Sequence, residues 1–378
     1  MDNRNLTMLM DLYEMTMANG IMQSDMRDTV TYFDMFFRKI PDMGGYAIMA
    51  GIEQLIDYFN NLHFDESDIE YLKSLDLFCN EFIDYLRDFN FCCDVWAVPE
   101  GTPIFPNEPI VTVRGPAVQA MLVETMVLLT INHQSLIATK ANRIVRAAKG
   151  RPVMEFGARR AQGADAAYYG ARAAIIGGCA GTSDIKTAKD FGTKASGTMA
   201  HSWVQLFPDE YTAFKTYAEK YPDSCMLLVD TYNVLKSGVP NAIRVFDEVL
   251  KPLGIRPLGI RIDSGDIAYL SKKTRKMLDD AGYPDAKICV SNSLDEYLIM
   301  DMDMQGMLYT LEDEEGNEQE FEVLGELEYE DATYCALVPY HENEEDMLKD
   351  DGEFVILKRE TIDGEEMLCT IEDDDEYD

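Results

Sequence analysis

Bases are scarce in this sequence. Its 378 residues hold 33 Lys and Arg against 69 Asp and Glu, a net charge of −36. Such a charge argues against nucleic acid as a partner, because phosphate backbones need cations. Histidine is rarer still, with four in the chain. The eight cysteines are scattered, and Cys92–Cys93 is the one close pair. With no CxxC and no Cys/His metal spacing, a cysteine-based metal site is excluded and a reduced, cytoplasmic setting is expected. Long apolar runs are absent too. The longest candidate, around Ala120–Ile131, is broken by Glu124 and is too short to cross a bilayer, so no membrane partner is expected. The opening MDNRNLTMLMDLYEMTMANG carries acids inside its apolar pattern, unlike a signal peptide.

What is present divides unevenly. Beyond residue 300 there are 30 acids and 3 bases; before it, 39 and 30. Two differently composed segments meet near that point. The length allows several domains. The expected division is an N-terminal α/β domain over 1–125, a β/α region carrying the site over 126–300, and an acidic tail domain over 301–378.

The first part mixes helical and strand patterns. Leu6–Ile21 has apolar residues at helical spacing behind a candidate cap at Asn5. TVTYFDMFFR (29–38) is β-branched and aromatic and reads as a strand. Gly45–Leu62 reads as helix, with more helix to about Leu86. The proline-bounded stretch 97–116 reads as β with turns, and Ala117–Lys149 as mostly helical. From Arg151 a rhythm begins: PVMEFG, IIGGCAGTS, ASGTMAHS, CMLLVDTYN, LGIRIDSGD and KICVSNS are short apolar runs ending in small or polar residues. Helical patterns separate most of them. Repeated β-α units of this kind describe a parallel β/α barrel, whose site sits at the C-terminal strand ends. The tail alternates apolar and acidic residues around EEGNE and IDGEE turns, which reads as a small antiparallel β-domain with an acidic tip.

Chemistry is concentrated at the strand ends. In GIRIDSGD (259–266), Asp263 and Asp266 can hold Mg²⁺ together with phosphate oxygens, and Arg261 offers a fork for a carboxylate or phosphate. The same residues also read as caps of a following helix. In EFGARRAQG, Arg159 and Arg160 stand where an anion can meet a helix start, or where surface ion pairs form. GGCAGTS (177–183) can bring backbone amides to an anion, but no GK[ST] follows, so it is not a Walker loop. His201, in SGTMAHSWVQLF, is of the residue type whose unperturbed pKa suits proton transfer or phosphoryl acceptance, yet a lone histidine reads more often as a packed core residue. His133 lies in a helical pattern.

Taken together, LTMLMDLYEMTMANG, FRKIPDMGGYAIMAGI, NHQSLIATKANRI, EFGARRAQG, GTMAHSWVQLF, LLVDTYN and GIRIDSGD resemble, in order, the nicotinate phosphoribosyltransferase family. The resemblance covers about residues 1–300. It implies a β/α barrel of the type II phosphoribosyltransferase kind. It also implies formation of nicotinate mononucleotide and pyrophosphate from nicotinate and phosphoribosyl pyrophosphate, coupled to ATP hydrolysis, with Mg²⁺ and a homodimer. Residue by residue, Tyr13 resembles the tyrosine that stacks on nicotinate across a dimer interface, and Phe156 the opposite face. Arg159 resembles the arginine beside the substrate's carboxylate and phosphate. Thr198 and Arg261 match nicotinate-pocket positions. Asp230, Asp263 and Asp266 resemble the acids around ribose and metal, with Asp263 and Arg261 among the catalytic group. His201 matches the histidine that ATP phosphorylates. The sister enzyme acting on nicotinamide has an acid where this chain has Ser183, so Ser183 favours the acid substrate, although Asp184 replaces the family's frequent Asn.

After ICVSNSLDEYLI the family continues with a strand and a GxGT phosphate loop, whereas this chain turns acidic. The resemblance thus implies a truncated core and an incomplete barrel. The tail is similar to short acidic bacterial proteins of unknown function. The competing expectation is an inactive core joined to an acidic interaction domain. A related barrel enzyme using quinolinate is disfavoured by GTMAHSW.

Overall fold

The computed structural model describes residues 4–42, 44–304, 308–312, 318–329, 332–340, 354–362 and 365–371. The chain divides into two compact units, Met1–Gly197 and Thr198–Asp378.

In the first unit, the N-terminal helix is Leu12–Met22, shorter than the Leu6–Ile21 span expected from periodicity. The reason lies in Asn5. Its Oδ1 accepts from the Thr7 N–H at 3.0 Å and its Nδ2 donates to the His63 carbonyl at 3.0 Å. An asparagine that binds its own backbone two residues on makes a turn instead of a helix cap. Asp11, in an extended conformation, begins the helix instead. The helix expected over Gly45–Leu62 likewise resolves into a short strand, Ala47–Ile48, and a helix, Ile52–Asn61. Between them Gly51 sits at φ +112°, and the Glu100 carboxylate accepts from the Gly51 and Ile52 N–H groups at 2.6 and 2.9 Å. That carboxylate satisfies the free donors of the helix start.

The expected strand in TVTYFDMFFR is Val30–Met35. It pairs antiparallel with the central strand Val111–Pro116, whose other neighbour is Asp94–Ala97. Helices Glu66–Ser74 and Asn80–Arg87 complete this layer, and one core runs through Met15, Leu55, Phe82, Val113 and Ile131. The helical stretch Ala117–Ala147 is longer than the Ala120–Ile131 candidate, and by length and composition alone it could cross a bilayer. Its buried Met126, Val127, Ile131 and Ala138 account for that apolar content. Beyond it, Met154–Glu155 pairs parallel with Gly181–Thr182, with helix Ala164–Ile176 as the connection.

The second unit holds a three-stranded parallel sheet. Gly259–Ile262 lies between Lys287–Val290 and Met226–Leu228. All four residues of the central strand are buried, as a parallel sheet covered on both faces requires. Helices Glu210–Lys220, Val239–Val245 and Ile267–Asp280 pack around it, and the core includes Phe214, Leu227, Leu228, Phe246 and Ile260. Two glycines are obligatory. At Gly259 (φ +150°) a Cβ would lie 2.0 Å from the Lys287 carbonyl oxygen, and at Gly238 it would lie 1.9 Å from that of Val229.

The tail forms a five-stranded antiparallel sheet in chain order: Leu308–Glu312, Glu318–Tyr329, Ala332–Pro339, Val355–Ile362 and Glu365–Thr370. The GN and DG centres of the expected turns and the acidic tip lie outside the described residues. Val323, Cys335, Leu337 and Leu357 make a small core with Leu311, Phe321 and Leu368. The pairing of the second and third strands slips between Val323 and Gly325, a bulge at position 324.

Candidate active site

His201 stands at the start of the short helix His201–Gln205, two residues after the buried Met199. Its side chain is 41% exposed, so it is not a packed core histidine. Two strand ends flank the ring. Nε2 lies 3.5 Å from Asp263 Oδ2, beyond the strand Gly259–Ile262. Nδ1 lies 3.2 Å from the Thr231 hydroxyl and 4.0 Å from Asp230 Oδ1, beyond the strand Met226–Leu228. The imidazole is therefore open to solvent on one side and held between two carboxylates.

Those carboxylates are fixed in turn. Asp230, with a side chain only 1% exposed, accepts from the Ser264 hydroxyl at 2.6 Å and from the Asp263 N–H at 3.0 Å. Arg261 is buried. It donates through Nη1 to Thr198 Oγ1 at 2.7 Å and through Nε to Ser291 Oγ at 3.0 Å, and its Nη2 lies 3.2 Å from Asp263 Oδ1. The Ser291 hydroxyl donates to Asp263 Oδ1. Burial is the largest single influence on the Asp263 carboxyl and pushes its pKa up. The Ser291 hydrogen bond, Arg261 and His201 together outweigh it and hold the group below the ordinary carboxylate value. Asp263 is thus a stable anion facing an accessible imidazole.

Asp266 is placed differently. It caps helix Ile267–Asp280, accepting from the Tyr269 N–H at 3.0 Å. Among the described residues no group of three or more His, Cys, Asp or Glu side chains is arranged to hold a metal ion.

The remaining candidates belong to the first unit. Tyr13 is exposed, and its hydroxyl donates to Glu124 at 2.9 Å, which, with burial and nearby acids, pushes its pKa up to about 12. Phe156 is half-buried after the strand Met154–Glu155. Arg159 is exposed in the 3₁₀ turn Ala158–Arg160. Ser183 is exposed at the end of Gly181–Thr182 and gives its N–H to the Glu155 carbonyl at 3.0 Å. Asp184 caps the helix Ile185–Asp190.

Sequence reasoning did not single out Thr231, Ser264 or Ser291. All three sit in the polar ends of DTYN, DSGD and VSNS. The available signal was a hydroxyl within two residues of the end of an apolar run, which a turn or cap residue shares.

Parallel strands joined by helices, with a histidine, an arginine and acids gathered around two neighbouring strand ends, make a mixed α/β fold, and the similarities that follow place it in the type II phosphoribosyltransferase class. Residues 8–132 match the nicotinate phosphoribosyltransferase (NAPRTase) N-terminal domain, and residues 152–301 the nicotinate phosphoribosyltransferase (NAPRTase) family. The chain belongs to this family over those residues. Residues 314–378 match a family described as a protein of unknown function, DUF1292. The nicotinate phosphoribosyltransferase of Bacillus subtilis is 47% identical over 302 residues, covering 80% of this chain and 61% of that protein. Nicotinate phosphoribosyltransferase pncB2 of Mycobacterium tuberculosis is 47% identical over 288 residues, covering 76% and 61%. The chain thus spans about three fifths of these relatives' length. Among solved structures, human nicotinic acid phosphoribosyltransferase superposes with a TM-score of 0.72 at 29% identity, covering 79% of this chain and 71% of that one. A nicotinate-nucleotide pyrophosphorylase from Pyrococcus furiosus gives 0.60 at 25% identity, covering 79% and 71%.

Proposed function

We propose that this chain transfers the phosphoribosyl group to nicotinate, coupled to ATP hydrolysis. The observation that carries the reading is the accessible His201 between Asp263 and Asp230, backed by the locked Arg261. In the transfer, the pyridine nitrogen forms a bond to the anomeric carbon as the carbon–oxygen bond to pyrophosphate breaks, and that electron pair leaves with pyrophosphate. Arg261, fixed by Thr198 and Ser291 and paired with Asp263, supplies the site's buried positive charge, which attracts substrate anions. A ring nitrogen of His201 forms a bond to the γ-phosphorus of ATP as the bond from that phosphorus to the bridging oxygen breaks and ADP leaves with the electron pair. Water later cleaves the nitrogen–phosphorus bond to release phosphate, and Asp263 and Asp230 orient the ring and offset the positive charge it develops.

Mg²⁺ fits a donor set of hard carboxylate oxygens supplemented by substrate phosphates. Asp263 and Asp266 are the residues that would hold it, and it would neutralise the leaving pyrophosphate. Tyr13, Phe156, Arg159 and Ser183 form the nicotinate pocket in this reading, with Tyr13 contributed across a homodimer. The parallel strands belong to a β/α barrel, within the three-part division at about residues 125 and 300, and the protein works in the cytoplasm.

The test is direct. Purified protein is incubated with nicotinate, phosphoribosyl pyrophosphate, ATP and Mg²⁺, and mononucleotide is measured by chromatography. Turnover that disappears in His201→Ala and Asp263→Ala is expected. A folded protein without turnover, or turnover indifferent to both substitutions, refutes the proposal.

A further inference from the structure

The bulge at position 324 reverses which way the side chains of the second tail strand face beyond it. Along FEVLGELEY, Phe321, Val323, Leu327 and Tyr329 all fall on odd positions, so an unbroken strand would turn all four inward. Val323 does face the core, opposite Leu337. After the slip, Glu326 lies opposite the buried Cys335 and Leu327 opposite Tyr334. Glu326 therefore points inward, where it pairs with Arg359 and accepts from the Cys335 thiol at 3.2 Å. Leu327 and Tyr329 are turned outward, 65% and 60% exposed. A solvated sheet face ordinarily carries polar residues. Here the strand turns an acid inward and presents two large apolar side chains to the outside, and bulges re-aim side chains in this way.

We propose that this outward face docks a lysine- or arginine-rich segment of another protein that also carries apolar side chains. Charge selects that occupant. Residues 301–378 hold 30 acids and 3 bases, and of those bases Arg359 is paired with Glu326 and Lys358 with Glu360. A second copy of this chain would bring the same excess of negative charge and be repelled. An extended cationic segment gains from both terms: long-range attraction brings it in, and burial of Leu327 and Tyr329 holds it. This inference is independent of the transferase reading, since it uses neither the site nor its substrates.

Two fluorescent peptides of equal length and charge test it against the full chain, one alternating lysine with leucine and the other lysine with serine. Anisotropy at physiological salt should show the leucine peptide binding about tenfold tighter or more, the scale of one buried leucine side chain. Leu327→Asp discriminates further, because it adds a negative charge. Docking predicts weaker binding of the leucine peptide by a similar factor, whereas charge attraction alone predicts stronger binding. Tyr329→Ser, which leaves the charge unchanged, should weaken it in the same direction, with circular dichroism verifying that the variants fold. Equal binding of both peptides, or binding undiminished in both variants, overturns the proposal. So does concentration-dependent self-association of the chain that Leu327→Asp abolishes.

Discussion

Ser291→Ala removes one hydroxyl that serves two charged groups. The Ser291 Oγ donates to Asp263 Oδ1 and accepts from Arg261 Nε at 3.0 Å, and Arg261 is buried. A hydrogen bond to a charged group contributes about 1.5–3 kcal/mol, and a buried donor left without an acceptor costs about 1–3 kcal/mol. The two losses share one side chain, so a net of about 3 kcal/mol is expected, with a further signature in pH. The folded-state pKa of Asp263 is depressed, so its stability contribution is present above the unfolded carboxylate pKa and is lost as pH falls through the folded value. Without Ser291 one of the depressing influences is gone and the folded value rises, so the contribution is smaller and its loss is complete at a higher pH. Thermal unfolding measured across the acid range reads both effects. Ser291→Thr, which restores a hydroxyl, should recover most of the stability. In the transferase assay, misalignment of Asp263 and Arg261 should lower kcat/KM by about 100-fold if the same 3 kcal/mol is lost from the transition state. An alanine variant within about 0.5 kcal/mol of the parent, with an unmoved acid limb, would show that the hydroxyl holds neither group.

Gly238→Ala places a Cβ 1.9 Å from the Val229 carbonyl oxygen, next to Asp230. A loss of about 3 kcal/mol or more, or roughly 6–12 °C in Tm, is expected by calorimetry. Arg172→Met should move acid unfolding to higher pH. Burial is the main influence raising the Glu100 carboxyl, but Arg172, at 2.7 Å, together with the Gly51 and Ile52 N–H groups outweighs it and keeps the pKa below the ordinary value. Glu100 thus stabilises the fold above its unfolded pKa and stops doing so as pH falls through the depressed value, and without Arg172 burial prevails. Asp266→Asn should leave stability within about 0.5 kcal/mol, because Asn caps a helix as well as Asp does. If Asp266 also holds Mg²⁺, the Mg²⁺ concentration for half-maximal turnover should rise, and an unchanged requirement would confine Asp266 to capping.

Much of the secondary structure was legible because local and tertiary signals agree. Val30–Met35 is β-branched and aromatic and also lies in a sheet. The strands around Leu227, Ile260 and Ile288 are apolar runs that end in polar residues, as a covered parallel sheet demands. Where the reading missed, a side chain had a second option. Asn5 spends its amide on Thr7 and His63, so the first helix starts six residues later than expected. Gly51 and Glu100 break a continuous helical pattern through a contact 49 residues apart, which periodicity cannot register. The bulge at position 324 is equally silent in the sequence, since alternation persists on both sides of it. Arg261 and Asp263 stood out as charged residues at one strand end, whereas Asp230 and the role of His201 emerged from the order of motifs, because the spacing between strand ends carries no geometry of its own. Ser291 stayed hidden because a hydroxyl after a strand reads as a turn.

The contact at Gly238 also limits what descent can do with this chain. Every single-base change in a glycine codon that does not stop translation or leave glycine in place installs a residue with a Cβ. At Gly238 any such atom meets the Val229 carbonyl at 1.9 Å, and no rotamer moves a Cβ. The helical turn ending at Gly238, which packs against the Val229 carbonyl, therefore has no neutral amino-acid replacement one base away. A lineage keeps the glycine or must alter the strand end and the helix together.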